Sequence, residues 1–265
     1  MVTDEQAADA LIAEHAAPIH GGSGEVGVLL CHGFTGTPWS LREWAEYLIE
    51  AGYRVSVPLW PGHGTTWQQL NDTTWQEWYA AAETALRELR QQCDTVFVGG
   101  LSMGGGMALR LAERQGSDIR GLVLVNPAIA LSDKRLLVLP VLSRFVPSLA
   151  AISGDIAKPG ADEYGYRRTP LKALLQQTRM WLDIRSNLDR VDQPILMFRS
   201  EQDHVVDPTS ARLIQEGVSS AEVTERVLTR SYHVATMDYE AEDIFAESAE
   251  FFGRHSVRAA EAEDA

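Results

Sequence analysis

The sequence predicts an α/β protein with a mostly parallel central sheet flanked by helices. Three observations carry that prediction. Short, continuous apolar runs of strand length recur along the chain, as at Val26–Cys31, and such runs suit strands buried on both faces. Between them lie longer stretches with helical spacing, and strict alternation of the two argues for parallel pairing. The length, 265 residues, suits one core and thus a single domain spanning 1–265.

The elements follow in order. Val26–Cys31 reads as the first buried strand, ending in His32-Gly33. Residues 39–51 carry Leu41, Trp44, Ala45 and Leu48 at helical spacing, and Gly52 closes the helix. A second strand covers 53–57, a loop with Gly62-His63-Gly64 covers 58–66, and an amphipathic helix covers 75–89. A third strand at 95–98 runs into Gly99-Gly100 and a helix over 103–114; a fourth covers 119–125. The rhythm then breaks. Residues 127–191 hold apolar helical stretches without a convincing core strand, so they read as a small cap inserted after the strand ending near Val125. The pattern resumes with a strand at 194–198, a short helix at 210–216, a strand at 221–228 and a helix at 241–252, while the charged tail from Arg258 is expected to fray.

Composition narrows the function classes. The formal net charge of -14 disfavours nucleic acid and anionic surfaces as partners of the chain as a whole. Two cysteines, Cys31 and Cys93, make no disulfide framework and suit a reducing compartment. The N-terminus lacks a basic region followed by an apolar run, and no apolar stretch reaches the roughly 18 residues of a membrane span. The expected location is therefore cytoplasmic.

Gly100-Leu101-Ser102-Met103-Gly104 is a G-x-S-x-G pentapeptide between a strand and a helix. Such a turn strains the serine and lifts its hydroxyl above the sheet, and the glycines are required because a Cβ there would collide across the turn. Ser102 is the candidate nucleophile. A tetrahedral intermediate needs two N–H donors. Met103, next to the nucleophile, supplies one, and the loop His32-Gly33-Phe34-Thr35-Gly36-Thr37-Pro38 offers the Phe34 amide as the second. His32 reads as a brace for that loop.

Together these features point to the α/β-hydrolase fold, in which the triad runs serine, acid, histidine along the chain. Downstream of Ser102 stand His204, His233 and His255. His255 lies near the tail and His204 directly follows an acid, whereas His233 lies between the last strand and the last helix, where a loop-borne base belongs. The acid should follow the preceding strand, where Glu201, Asp203 and Asp207 stand. Asp207 precedes Pro208 and reads as a helix cap. Asp203, at the loop apex, is the better candidate, with Glu201 behind it. The histidines are too scattered for a metal site, and the chemistry requires no cofactor.

The chain resembles the bacterial monoacylglycerol lipase and thermostable carboxylesterase family of α/β-hydrolases. The resemblance rests on Gly27-Val28-Leu29-Leu30, the 32–38 loop, Gly62-His63-Gly64-Thr65, Gly100-Leu101-Ser102-Met103-Gly104-Gly105, Asp203-His204-Val205-Val206 and Ser231-Tyr232-His233-Val234-Ala235-Thr236, and it runs from about 26 to 252. It implies a core sheet of eight strands or slightly fewer, a small cap, and hydrolysis of monoacylglycerols or of short to medium acyl esters. A broad carboxylesterase, a thioesterase and a non-catalytic ligand receptor on the same fold are the competing readings. The resemblance also implies that Glu163, in the cap, faces the site and accepts a hydrogen bond from a glycerol hydroxyl, against the plainer reading of a solvated charge. Ile152 would line the same pocket, and Asn126 would anchor the cap or help bind substrate. The apolar cap run 136–142 with Phe145 and Val146 suits either an acyl tunnel and contact with lipid aggregates, or the buried underside of cap helices.

Overall fold

The computed structural model describes residues 4–151 and 154–263. In chain order the elements are α1 (Asp4–Glu14), β1 (Ile19–Gly21), β2 (Val26–Cys31), α2 (Arg42–Glu50), β3 (Arg54–Val57), α3 (Trp67–Leu70), α4 (Trp75–Arg90), β4 (Thr95–Leu101), α5 (Met103–Gln115) and β5 (Leu122–Val125). There follow α6 (Leu139–Phe145), β6 (Ser148–Ala150), β7 (Arg168–Pro170), α7 (Leu171–Arg185), β8 (Ile195–Ser200), α8 (Thr209–Gly217), β9 (Val223–Leu228) and α9 (Ala241–Glu263). Seven strands form one sheet in the order β1-β3-β2-β4-β5-β8-β9. All its pairings are parallel except β1 with β3. This is the α/β-hydrolase architecture.

Strand alternation divides the core into two layers. Leu29, Cys31, Val96, Val98, Leu122, Leu124, Ile195 and Met197 face one cluster, which takes in α4, α5, α7 and α8. Val28, Leu30, Val55, Val57, Phe97, Val123, Leu196 and Phe198 face the other, covered by α2 and α9. The helices start and stop on local signals. The Thr74 amide donates to Glu77 Oε2 at 2.7 Å at the start of α4. Gly52 at φ +93° follows α2 and Gly116 at φ +53° ends α5, conformations that favour glycine.

Three elements lie outside the sequence expectations. β1 is a three-residue edge strand paired antiparallel to β3, too short to show alternation. α1 and the four-residue α3 carry weak patterns, yet Ile12 of α1 reaches the core. The fourth strand starts at Leu122 rather than at 119, beyond the 3-10 turn at 116–118. α9 runs on through 258–263, where fraying was expected, and 264–265 lie outside the described residues.

Between β5 and β8 the chain divides into two parts. Residues 127–170 hold α6 and the small antiparallel β6–β7 pair. α7 belongs to the helical layer instead: its Ala173, Met180, Trp181 and Ile184 are buried in the cluster with α4 and α5. Arg110 of α5 fixes this packing, bonding Glu113 at 2.8 Å and Asp183 of α7 at 2.7 Å.

Candidate active site

Phe34, Ser102, Met103, Asn126, Asp203 and His233 follow the C-terminal ends of parallel strands or lie in the loops beyond them, the edge where ligands of open α/β sheets bind. Ser102 follows β4 and opens α5 with φ +56° and ψ −118°, and it is 8% exposed. A β-carbon bearing residue at positive φ stores strain that the surroundings must hold. Here the main chain holds it: the Ser102 amide donates to the Val125 carbonyl at 2.9 Å, and the Ser102 carbonyl accepts from Gly105 at 3.0 Å and Ala128 at 2.9 Å. The glycines around it are dictated by space. A Cβ on Gly104 would lie 1.8 Å from the Cys31 carbonyl oxygen, and one on Gly100 would lie 2.2 Å from the Gly104 carbonyl oxygen.

The 32–38 loop lies against this turn, since a Cβ built on Gly33 would contact the Ser102 Cβ at 3.6 Å. Its positive φ, however, falls on Thr35 at +63°, not on Gly33. Thr35 offsets that with its hydroxyl, which donates to the Phe34 carbonyl at 2.6 Å, and its own carbonyl accepts the Tyr166 amide at 3.3 Å. His32 braces the loop from beneath. It is fully buried, its Nδ1 is 2.9 Å from the Gly33 carbonyl, and its Nε2 accepts the Trp60 amide at 3.3 Å. Burial, then the adjacent His63, hold its pKa well below the ordinary value, so it stays neutral. Met103 is the first residue of α5, so its N–H has no intrahelical acceptor.

His233 and Asp203 meet in the interior. Nδ1 of His233 donates to Asp203 Oδ2 at 2.7 Å, and the two side chains are 8% and 5% exposed. Asp203 Oδ1 accepts the amides of Val205 and Val206, each at 2.8 Å, which fixes the carboxylate plane. With Nδ1 committed, Nε2 is the nitrogen left to exchange a proton. Burial by itself lowers the His233 pKa; the hydrogen bond and charge of Asp203, with the charges of Glu163 and Asp155, outweigh it and leave the pKa raised.

The other candidates fall elsewhere. Asp207 accepts the Thr209 amide at the start of α8 and the Ser132 amide, at 2.8 and 2.7 Å, a capping arrangement. Glu201 is exposed. His204 is turned outward and pairs with Asp155 at 2.8 Å. His255 is buried on α9, its ring tilted against Phe251 and its carbonyl bonded to Arg120, at the opposite edge of the sheet. Among the described residues no cluster suits a metal ion.

Asn126, with φ +43°, spends its whole amide on the framework. Oδ1 accepts the Ser200 amide at 2.7 Å, while Nδ2 donates to Ser200 Oγ at 3.0 Å and to the His233 carbonyl at 2.8 Å. It therefore ties the end of β8 to the base loop and keeps no donor for a substrate. Glu163 is partly buried, accepts the Gly154 amide at 2.7 Å, and lies close enough to feel the charge of His233. Burial, above all, raises its pKa. It lines a half-open cavity of about 250 Å³ between α1 and the 161–167 loop, whose wall includes Leu11, Ile12 and Tyr164. Ser102 and His233 do not line that cavity. Ile152 lies outside the described residues. Asp155 is the site residue that sequence reasoning missed; it lies in a stretch with no periodicity and no motif.

Residues 25–240 match the family model described as serine aminopeptidase, S33. The chain is 43% identical over 246 residues to a thermostable monoacylglycerol lipase of Bacillus sp. (strain H-257), covering 91% of this chain and 96% of that one. It is 26% identical to a carboxylesterase of Bacillus subtilis (strain 168), covering 86% and 92%. Among solved structures, one reported for the metagenome-derived lipolytic enzymes LipS and LipT superposes with a TM-score of 0.88 at 35% identity, covering 91% of this chain and 98% of that one. The chain thus belongs to the serine aminopeptidase S33 family of α/β-hydrolases and, within it, to the bacterial monoacylglycerol lipase and carboxylesterase group.

Proposed function

We propose that this protein hydrolyses carboxylic esters, monoacylglycerols foremost, through an acyl-enzyme on Ser102. The observation that carries the reading is the buried Asp203–His233 pair at 2.7 Å on the same sheet edge as a strained serine turn. His233 Nε2 takes the Ser102 proton as Oγ attacks the ester carbonyl, and the Met103 and Phe34 amides receive the oxyanion. The tetrahedral intermediate collapses, the C–O bond to the alcohol breaks, and the imidazolium gives its proton to the departing glycerol oxygen. Water then attacks the acyl-enzyme with His233 again as base, and the fatty acid leaves as Ser102 regains its proton. Asp203 holds the imidazole in the required tautomer and offsets its charge.

Glu163 is the residue we assign to the glycerol end. Its carboxylate lies near His233, and one oxygen is already tied to Gly154. The 43% identity to a protein named a monoacylglycerol lipase supports glycerides over peptides, although the family description names an aminopeptidase. A broader carboxylesterase is the second reading, favoured by the relative bearing that name. Thioester hydrolysis and a non-catalytic receptor on the same fold are the remaining alternatives.

We further propose that the cap touches lipid aggregates. Leu137 and Phe145 are 81% and 80% exposed, with Val138 and Val141 beside them. Lys134 and Arg144 flank this patch on a chain otherwise strongly acidic, while Arg135 is ion-paired with Asp133 at 2.7 Å; the two cations suit an anionic lipid surface. No described helix is long and apolar enough to cross a membrane. The buried free thiols Cys31 and Cys93 support a reducing, cytoplasmic setting.

The test is turnover of 1-lauroylglycerol against ethyl laurate, which share an acyl chain. A glyceride preference of about tenfold, or about 1.4 kcal/mol, that collapses in Glu163→Ala supports the full reading. Equal rates for both esters leave a carboxylesterase, and an unchanged ratio in Glu163→Ala removes Glu163 from the alcohol site.

A further inference from the structure

Three side chains hold His233, at ring Nδ1, at the backbone carbonyl and at the backbone N–H. Asp203 takes the ring Nδ1–H, Asn126 donates to the backbone carbonyl at 2.8 Å, and Asp155 Oδ2 accepts the backbone N–H at 3.1 Å. The third contact reaches further. The same Oδ2 accepts the backbone N–H of His204, also at 3.1 Å, and His204 is the neighbour of Asp203 in the chain. Oδ1 of Asp155 meets the His204 ring at Nδ1, 2.8 Å away. The Asp155 carbonyl accepts the Val234 amide at 3.1 Å. One carboxylate, 12% exposed, therefore sits between the loop after β8 and the loop after β9 and bonds to both.

Its own position is tied to the insertion. The adjacent Gly154 amide donates to Glu163, and the Ala157 and Lys158 amides donate to Asp238 at 2.7 and 3.0 Å. Asp238 also takes the Tyr232 amide at 2.9 Å, so two carboxylates stitch residues 154–158 to the turn that bears the base. Burying a carboxylate is costly unless it is fully bonded, and charge-assisted bonds to N–H groups are the strong kind. The β8–β9 ladder ends at Ser200↔Leu228. The Glu201 amide to the Leu228 carbonyl at 2.8 Å, Ser200 Oγ to the Tyr232 carbonyl at 2.8 Å and Gln202 Nε2 to the Thr229 carbonyl at 3.3 Å hold the roots of the two loops, while Asp155 Oδ2 is bonded to the backbone N–H groups of His204 and His233 further out.

We propose that Asp155 is a positioning residue for the triad: its Oδ2, bonded to the amides of both His204 and His233, sets the spacing of the acid and base loops and makes that spacing depend on the seating of the inserted segment. The proposal rests on the reading of Ser102, Asp203 and His233 as the triad. Reaction geometry tolerates little error, and a misplacement of about 1 Å costs about a hundredfold in rate.

The test uses p-nitrophenyl butyrate, a soluble ester without glycerol, so that neither Glu163 nor lipid contact enters. Asp155→Ala is expected to lower kcat about a hundredfold with KM changed less than about threefold. Asp155→Asn is expected to stay within about fivefold of wild type, because its oxygen can accept both amides while its NH₂ faces His204 Nδ1 in the other tautomer. His204→Ala, which removes only the ring contact, is expected to stay within about threefold. Should Asp155→Ala fail to fold, Asp155→Ser, too short to bridge both amides, takes its place with the same expectation. A folded alanine or serine variant that keeps wild-type kcat overturns the proposal, as does an asparagine variant that falls as far as alanine. Ser102→Ala run alongside separates the two readings: if it retains turnover, the triad assignment itself fails.

Discussion

The turn that carries Ser102 and the inserted segment around α6 are built on opposite terms. Around the turn, backbone meets backbone with no room for a methyl group: Gly104 lies against the Cys31 carbonyl, Gly105 against Pro127 and Gly106 against the Ala128 carbonyl. All residues from Ser102 to Ala112 are buried. In the cap, α6 buries only Leu139 and Ser143 and turns Val141 and Phe145 outward. Close packing fixes the reacting atoms, since a crowded turn has one arrangement. A segment that leaves large apolar side chains in solvent is free to use them on a ligand or a surface. The difference fits the proposal that the sheet edge carries the chemistry and the insertion the choice of substrate.

Breaking the tight region should have the largest effect. Gly104→Ala places a Cβ 1.8 Å from a carbonyl oxygen that belongs to the sheet and cannot rotate away. We expect a loss of more than about 3 kcal/mol of stability, read by denaturant unfolding, together with loss of activity. Full stability in that variant would mean that the turn is looser than described.

A change of the same size in chemistry should leave the cap folded. Leu137→Ser with Phe145→Ser removes two exposed apolar side chains and buries nothing new. Stability should stay within about 0.5 kcal/mol. Binding to vesicles of phosphatidylglycerol, measured by sedimentation, should fall by about a hundredfold, from about 1.5 kcal/mol for each side chain. Unchanged vesicle binding would take the patch out of lipid contact.

The smallest effect sharpens the account of the platform from below. Burial pushes the Glu113 pKa up to about 7, against the opposing Arg110 bond. A carboxyl with a raised folded pKa binds its proton more tightly when folded, so its contribution to stability grows as pH falls from about 7 toward 4.5. Glu113→Gln should therefore be stabilising at pH 8 by a few degrees in Tm, about 2–4 °C, and this gain should shrink as pH is lowered through that window. A gain independent of pH would contradict the assignment.

The contrast also explains what could be read from sequence. The parallel sheet could be anticipated because its buried strands, such as Val26–Cys31, are uninterrupted apolar runs, whereas their order across the sheet had no local signal. The strained turn at Ser102 was legible because the glycines it requires are adjacent in the chain, and the place of His233 in the loop before the last helix because element order there is regular. β1 was not, since three residues, Ile19–Gly21, are too few to show a period. α7 could not be separated from the cap, because a helix over the sheet and a helix over the site carry similar apolar stripes. Asp155 left no trace: its role is set by amides 49 and 78 residues away, and no local pattern encodes such a meeting. Asn126 was noticed at a strand end, but whether it faced substrate or framework depended on Ser200 and His233, which only the fold brings near.

The most direct test of the central claim is reaction with a lauryl p-nitrophenyl phosphonate, followed by peptide mass spectrometry. The account predicts one adduct per chain, on Ser102, formed rapidly in the wild type and slowed by about four orders of magnitude in His233→Ala. An adduct on another residue, or none with the protein folded, would contradict it.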